Sequence, residues 1–117
     1  VGGYTLSQQD ILENVAHSLR AIFEKHGVLK AVVFGSFARG EPPRRSDPDI
    51  LVVQETDRRF LDRYDGIFGE ITDAVRGRDV ELLIYTPEEL ERMSDGPFIA
   101  GALKEGVVIY ESESQSI

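Results

Sequence analysis

Residues 31–53 read AVVFGSFARGEPPRRSDPDILVV, and the fold turns on how this stretch is interpreted. Ala31-Val32-Val33-Phe34 is a β-branched and aromatic run with the marks of a buried strand, and it stops abruptly at Gly35-Ser36. Ten residues separate Ser36 from Asp47-Pro48-Asp49, which leads into a second apolar run, Ile50-Leu51-Val52-Val53. The stretch therefore reads as two strands joined by a polar loop. A glycine at the end of the first strand lets the backbone approach a ligand closely. If Ser36 opens a short helix through Phe37-Ala38-Arg39, its hydroxyl and the free N–H groups face an anion above the strand end, which makes a phosphate site. Side chains alternate along a strand, so Asp47 and Asp49 share one face. Two convergent carboxylates repel unless a cation lies between them. Mg²⁺ suits that place, because it takes oxygen ligands and is commonly held by one or two carboxylates together with substrate phosphates. The alternative is a plain turn with aspartate at a strand start.

Gly-Ser, a gap of ten, and Asp-x-Asp on a second strand resemble the signature of the nucleotidyltransferase superfamily that includes DNA polymerase beta. The short chain, the GSFARG opening and the ending GALKEGVVIYE are similar to its minimal, MNT-type members, which are often encoded beside a helical HEPN partner. The resemblance spans residues 7–111. It implies a third metal-binding carboxylate on the neighbouring strand, in the segment Val80-Glu81-Leu82, which selects Glu81. Asp79 would share its face at the strand entrance, where a solvated turn role is the simpler reading. Glutamate where the family usually has aspartate adds one methylene of reach, and pairing with an arginine is the structural alternative for Glu81.

With 117 residues, the sequence is expected to form a single nucleotidyltransferase domain over 1–117, with 1–5 and 112–117 as frayed ends. A formal net charge of −8 opposes tight non-specific binding of free nucleic acid. No cysteine is present, so thiol and disulfide chemistry are excluded. No apolar run is long enough to cross a bilayer, and a soluble, cytoplasmic protein is expected.

Along the chain, Ser7 is placed to cap a helix that Gly27 closes, with Leu6 and Ile11 as a staple and Ile11, Val15, Leu19, Ile22 and Phe23 at helical spacing. His17 and His26 have no partner at metal spacing and read as packing or surface histidines. Thr56 or Asp57 opens a second helix with the stripe Leu61, Tyr64, Ile67, Phe68, Ile71 and Val75, weakened at Gly66 and Gly69. Arg58, Arg59 and Arg63, mixed with Asp57, Asp62 and Asp65, read as its solvated face. Residues 79–85 form a third strand after Gly77. Thr86-Pro87-Glu88-Glu89 is a capping box with proline at the first helical position. After a turn at 94–97, a brief helix marked by Phe98, Ala102 and Leu103 ends at Gly106, and Val107-Val108-Ile109-Tyr110 is the last strand. Tyr4, Tyr64, Tyr85 and Tyr110 read as core or edge aromatics.

The order α-β-β-α-β-α-α-β defines an α/β (α+β) fold, a mixed sheet of about four strands with helices packed on it, and the resemblance supplies the nucleotidyltransferase topology. The resemblance also implies the chemistry. Asp47, Asp49 and Glu81 would hold two Mg²⁺ ions, Gly35, Ser36 and Arg39 would bind the phosphates of ATP, and AMP would pass to an acceptor hydroxyl. Arg44 and Arg45 would meet acceptor or nucleotide, or merely solubilise the loop. The preferred acceptor is a HEPN-type protein partner, as for an MNT antitoxin in a toxin-antitoxin system. A small-molecule nucleotidyltransferase and a non-catalytic partner-binding module are the alternatives, and homo-oligomerisation is left open.

Overall fold

The computed structural model describes residues 8–35, 49–75 and 80–112, with side chains from residue 13 onward. Helix α1 (Gln8–Lys25) is followed by strands β1 (Val28–Phe34) and β2 (Asp49–Gln54), a 3-10 turn (Phe60–Tyr64), helix α2 (Ile67–Ala74), strand β3 (Glu81–Tyr85), helices α3 (Pro87–Met93) and α4 (Pro97–Glu105), and strand β4 (Val107–Glu111). The four strands form one sheet in the order β3-β2-β1-β4. β1 runs antiparallel to both β2 and β4, while β2 and β3 are parallel, so the sheet is mixed as expected.

Strand alternation divides the apolar residues between two faces. Ala31, Val33, Ile50, Val52, Leu82 and Ile84 project to one side and build a core with Val15, Leu19 and Phe23 of α1 and with Ile67 and Ile71 of α2. Leu19 and Phe23 are fully buried, and each such side chain stabilises the fold by about 1.5–3 kcal/mol. Val32, Leu51 and Val53 point to the other side, where α3 rests on β2 and α4 on β1, with Ile99 and Ala102 of α4 buried. Gly106 ends α4 where a side chain would overlap Val32 and the Ala102 carbonyl, so the chain can pass from helix to β4 against the sheet.

The termini of the helices follow the sequence closely in two places. Gly27 turns the chain out of α1 with φ 68°, and the N–H groups of His26 and Gly27 bond back to Ile22 and Glu24. At α3, the Thr86 hydroxyl accepts from the Glu89 N–H at 3.2 Å while the Glu89 carboxylate accepts from the Thr86 N–H at 2.9 Å, a complete capping box. Ser7, Leu6 and Gly77 lie outside the described residues, as does the side chain of Ile11.

The second helix differs from its expectation. Thr56 does not cap it; its hydroxyl accepts from the Arg58 N–H at 3.1 Å in a local turn. The 3-10 turn then stops, and Gly66 reverses the backbone at φ 82° before α2 begins. That conformation strains any residue with a Cβ, which is why the apolar stripe breaks there. Leu61 and Phe68, counted in the stripe, are 80% and 42% exposed.

Arg63 is a further correction, for it is buried rather than solvated. Its guanidinium donates to the Glu89 carboxylate through both terminal nitrogens, at 2.6 and 3.0 Å, to the Ile84 carbonyl at 3.1 Å, and through Nε to the Arg58 carbonyl at 3.1 Å. The Ile84 N–H donates to the Tyr64 hydroxyl at 3.2 Å. One arginine and one tyrosine thus pin the 3-10 turn to β3 and to the start of α3. The Arg58 side chain makes a long, exposed pairing with Asp65 at 3.9 Å, in keeping with a solvated face.

Candidate functional site

The end of the sheet that gathers the polar candidates is defined by three strand termini. Gly35 follows the last residue of β1, Asp49 is the first residue of β2, and Glu81 is the first residue of β3. In the antiparallel register Phe34 lies opposite Asp49, and in the parallel register Asp49 lies opposite Glu81. Residues opposite one another project to the same face, and adjoining strands are about 4.8 Å apart. The two carboxylates are therefore side by side on the face that carries α3 and α4. Glu81 is exposed and Asp49 half-buried.

Gly35 has φ 77°, and a Cβ built on it would collide with Oδ2 of Asp49. Only a residue without a side chain permits this closeness of backbone and carboxylate. Ser36, Arg39 and Asp47 lie outside the described residues, as do Arg44, Arg45 and Asp79. Among the described residues no three His, Cys, Asp or Glu side chains form a metal-binding group, and the pair that is described, Asp49 with Glu81, is one short of the expected set. Its donors fit magnesium: both are carboxylates, hard oxygen ligands of like charge on adjoining strands, and a divalent cation relieves their repulsion.

Two aromatic side chains at this end have no part in the motif. The rings of Phe34 and Phe98 meet edge to face with centroids 5.7 Å apart and planes at 86°. Phe98 belongs to the first turn of α4, behind Pro97. Strand alternation in β1 gives the face of Phe34; the approach of Phe98 depends on how α4 crosses the sheet, which no local pattern carries.

The histidines take part in contacts far from this end. His26 Nε2 lies 2.9 Å from Glu70 Oε2, and Lys25 donates to the other oxygen, so α1 and α2 are joined at one carboxylate. Both partners hold Glu70 below the usual carboxylate range, Lys25 more strongly than His26. His17 lines a cleft of about 480 Å³ between α1 and β4 with Arg20, Glu24 and Tyr110.

The profile of the polymerase beta nucleotidyltransferase family matches residues 17–115. The chain belongs to that family, and its reaction class is nucleotidyl transfer. A protein of Methanocaldococcus jannaschii that bears the provisional name protein adenylyltransferase is 33% identical over 78 residues, which make up 63% of this chain and 77% of the relative. A solved structure of a provisionally assigned minimal nucleotidyltransferase superposes with a TM-score of 0.62 at 25% identity, over 90% of this chain and 98% of that one. The crystal structure of a toxin-antitoxin with AMP-PNP superposes with a TM-score of 0.60 at 16% identity, over 86% of this chain and 76% of the other, a likeness of fold. None of the described helices is long and apolar enough to cross a membrane.

Proposed function

We propose that this chain is a metal-dependent adenylyltransferase that moves AMP from ATP onto a hydroxyl of a HEPN-type partner protein. The observation that carries the reading is the register that sets Asp49 beside Glu81, with Gly35 tight beneath the Asp49 carboxylate. The name of the Methanocaldococcus relative supports protein adenylylation, and the toxin-antitoxin neighbour with AMP-PNP supports both an ATP-like ligand and a protein partner.

Asp47, Asp49 and Glu81 are the residues assigned to hold magnesium. When bound, the ions lower the pKa of an attacking hydroxyl and neutralise charge on the triphosphate. Gly35 allows the backbone to approach the terminal phosphates, and Ser36 supplies its N–H and hydroxyl to them. Arg39 adds a charge-assisted contact. Attack of the acceptor oxygen on the α-phosphorus forms one P–O bond and breaks the α–β bridge, so pyrophosphate departs and AMP stays on the acceptor.

The test is incubation of the purified protein with α-labelled ATP, Mg²⁺ and the product of the adjacent gene. Label on the partner is expected, and Asp49→Asn should lower its rate by a factor on the order of a hundred or more while leaving the melting temperature nearly unchanged. Label confined to small molecules would instead indicate an antibiotic-type transferase. A stable complex without label would indicate a binding module. Wild-type turnover in the Asp49 variant would refute the metal assignment.

A further inference from the structure

Three phenylalanines among the described residues are substantially exposed: Phe60, Phe68 and Phe98. Phe60 packs against Tyr85 at the last position of β3, a strand length away from Glu81 at its first. Phe68 lies on α2, whose buried residues join the core on the opposite face of the sheet. Phe98 alone of these three contacts the end of the sheet where Gly35, Asp49 and Glu81 meet. It is 57% exposed, yet its ring is braced edge-on by Phe34, the direct cross-strand neighbour of Asp49 and the residue before Gly35. Its backbone is equally constrained, since Pro97 starts α4 and the Ala100 N–H closes that first turn onto Gly96.

A fixed aromatic ring, open to solvent and one side chain removed from a carboxylate, is suited to a flat apolar group attached to something charged. A nucleoside triphosphate has that form: its phosphates require the amide and cation chemistry around Gly35 and Asp49, and its base requires a π surface at a short remove. We propose that Phe98, braced by Phe34, is the platform on which the base of the triphosphate substrate stacks. The inference rests on the nucleotidyl-transfer reading of this end of the sheet. Stacking reads ring area rather than hydrogen-bonding edges, so the platform favours purine over pyrimidine triphosphates and separates ATP from GTP poorly.

The sequence has no tryptophan, so Phe98→Trp installs a single indole as reporter. Titration of that variant with ATP and Mg²⁺ should quench its fluorescence. Tripolyphosphate with Mg²⁺, which has no base, should displace ATP without quenching. Phe98→Ala should weaken ATP binding about tenfold and leave tripolyphosphate binding unchanged, with circular dichroism confirming both folds. Equal ATP affinity in wild type and Phe98→Ala, together with no quenching in Phe98→Trp, would overturn the platform and leave the transferase reading intact. A raised KM for the protein acceptor alone in Phe98→Ala would also overturn it, and would assign the ring to the acceptor. If wild-type protein binds neither ATP nor tripolyphosphate, the nucleotidyl-transfer reading fails and the platform fails with it.

Discussion

Gly35 shows how much a single position constrains this site. Its positive φ and the Asp49 oxygen where a Cβ would stand are independent reasons for glycine. Gly35→Ala should therefore cost about 1–3 kcal/mol in a urea melt through backbone strain alone, and should also push the Asp49 carboxylate away from its place beside Glu81. The expected outcome is a lower denaturation midpoint together with a large loss of label transfer. An unchanged midpoint with full turnover would show that the backbone and the carboxylate do not meet as described. The need for glycine was legible in the sequence, because a strand that ends in Gly-Ser before a polar loop calls for close approach of the backbone. Its closeness to Asp49 was not, since that depends on the antiparallel pairing of Phe34 with Asp49, fifteen positions apart in sequence.

At the scale of elements, the contact between the 3-10 turn and α3 makes a prediction with a definite sign. The hydrogen bonds from Arg63, followed by the one from the Thr86 backbone, hold the Glu89 carboxyl at about 2, against an ordinary 4.5. A carboxyl depressed in the folded state stabilises the protein fully above its unfolded value, and the contribution disappears as pH falls from about 4.5 toward 2. Glu89→Gln should thus lower stability at pH 7 by about 1–3 kcal/mol, and the gap from wild type should narrow steadily in melts taken between pH 5 and pH 2.5. A gap that is constant with pH would mean that the charge on Glu89 contributes nothing. Half of this arrangement was written in Thr86-Pro87-Glu88-Glu89, which is a local signal. The other half was misread: Arg63 stands in a stretch rich in arginine and aspartate, the pattern of a solvated face, and its partner is 26 residues further on. Charge patterns report neighbours along the chain, whereas burial of an arginine is decided by a distant carboxylate.

For the molecule as a whole, a mixed sheet of about four strands with helices packed on it followed from apolar periodicity and turn residues, with the resemblance supplying the topology; that the helices divide between both faces is a finding of the structure. The register that puts Asp49 beside Glu81 had to come from the structure, because a parallel pairing has no hairpin turn to set it. The acidic balance, a formal −8, carries the remaining prediction. A labelled DNA duplex at about 0.15 M salt should bind with a Kd weaker than about 10⁻⁴ M, the weak end of ordinary non-specific binding, in an anisotropy titration. Micromolar binding with a steep salt dependence would point to a nucleic-acid acceptor in place of a protein.

The two hydrogen bonds that Ile84 receives from Tyr64 and Arg63 bear on how this molecule meets others. In a strand, the N–H and C=O of one residue point the same way, and here both are taken by side chains of the same chain. An intruding strand from another copy would therefore find the Ile84 rung of the β3 flank already taken. At that rung the sheet margin is blunted against β-addition, and the arginine that blunts it is the one that anchors α3.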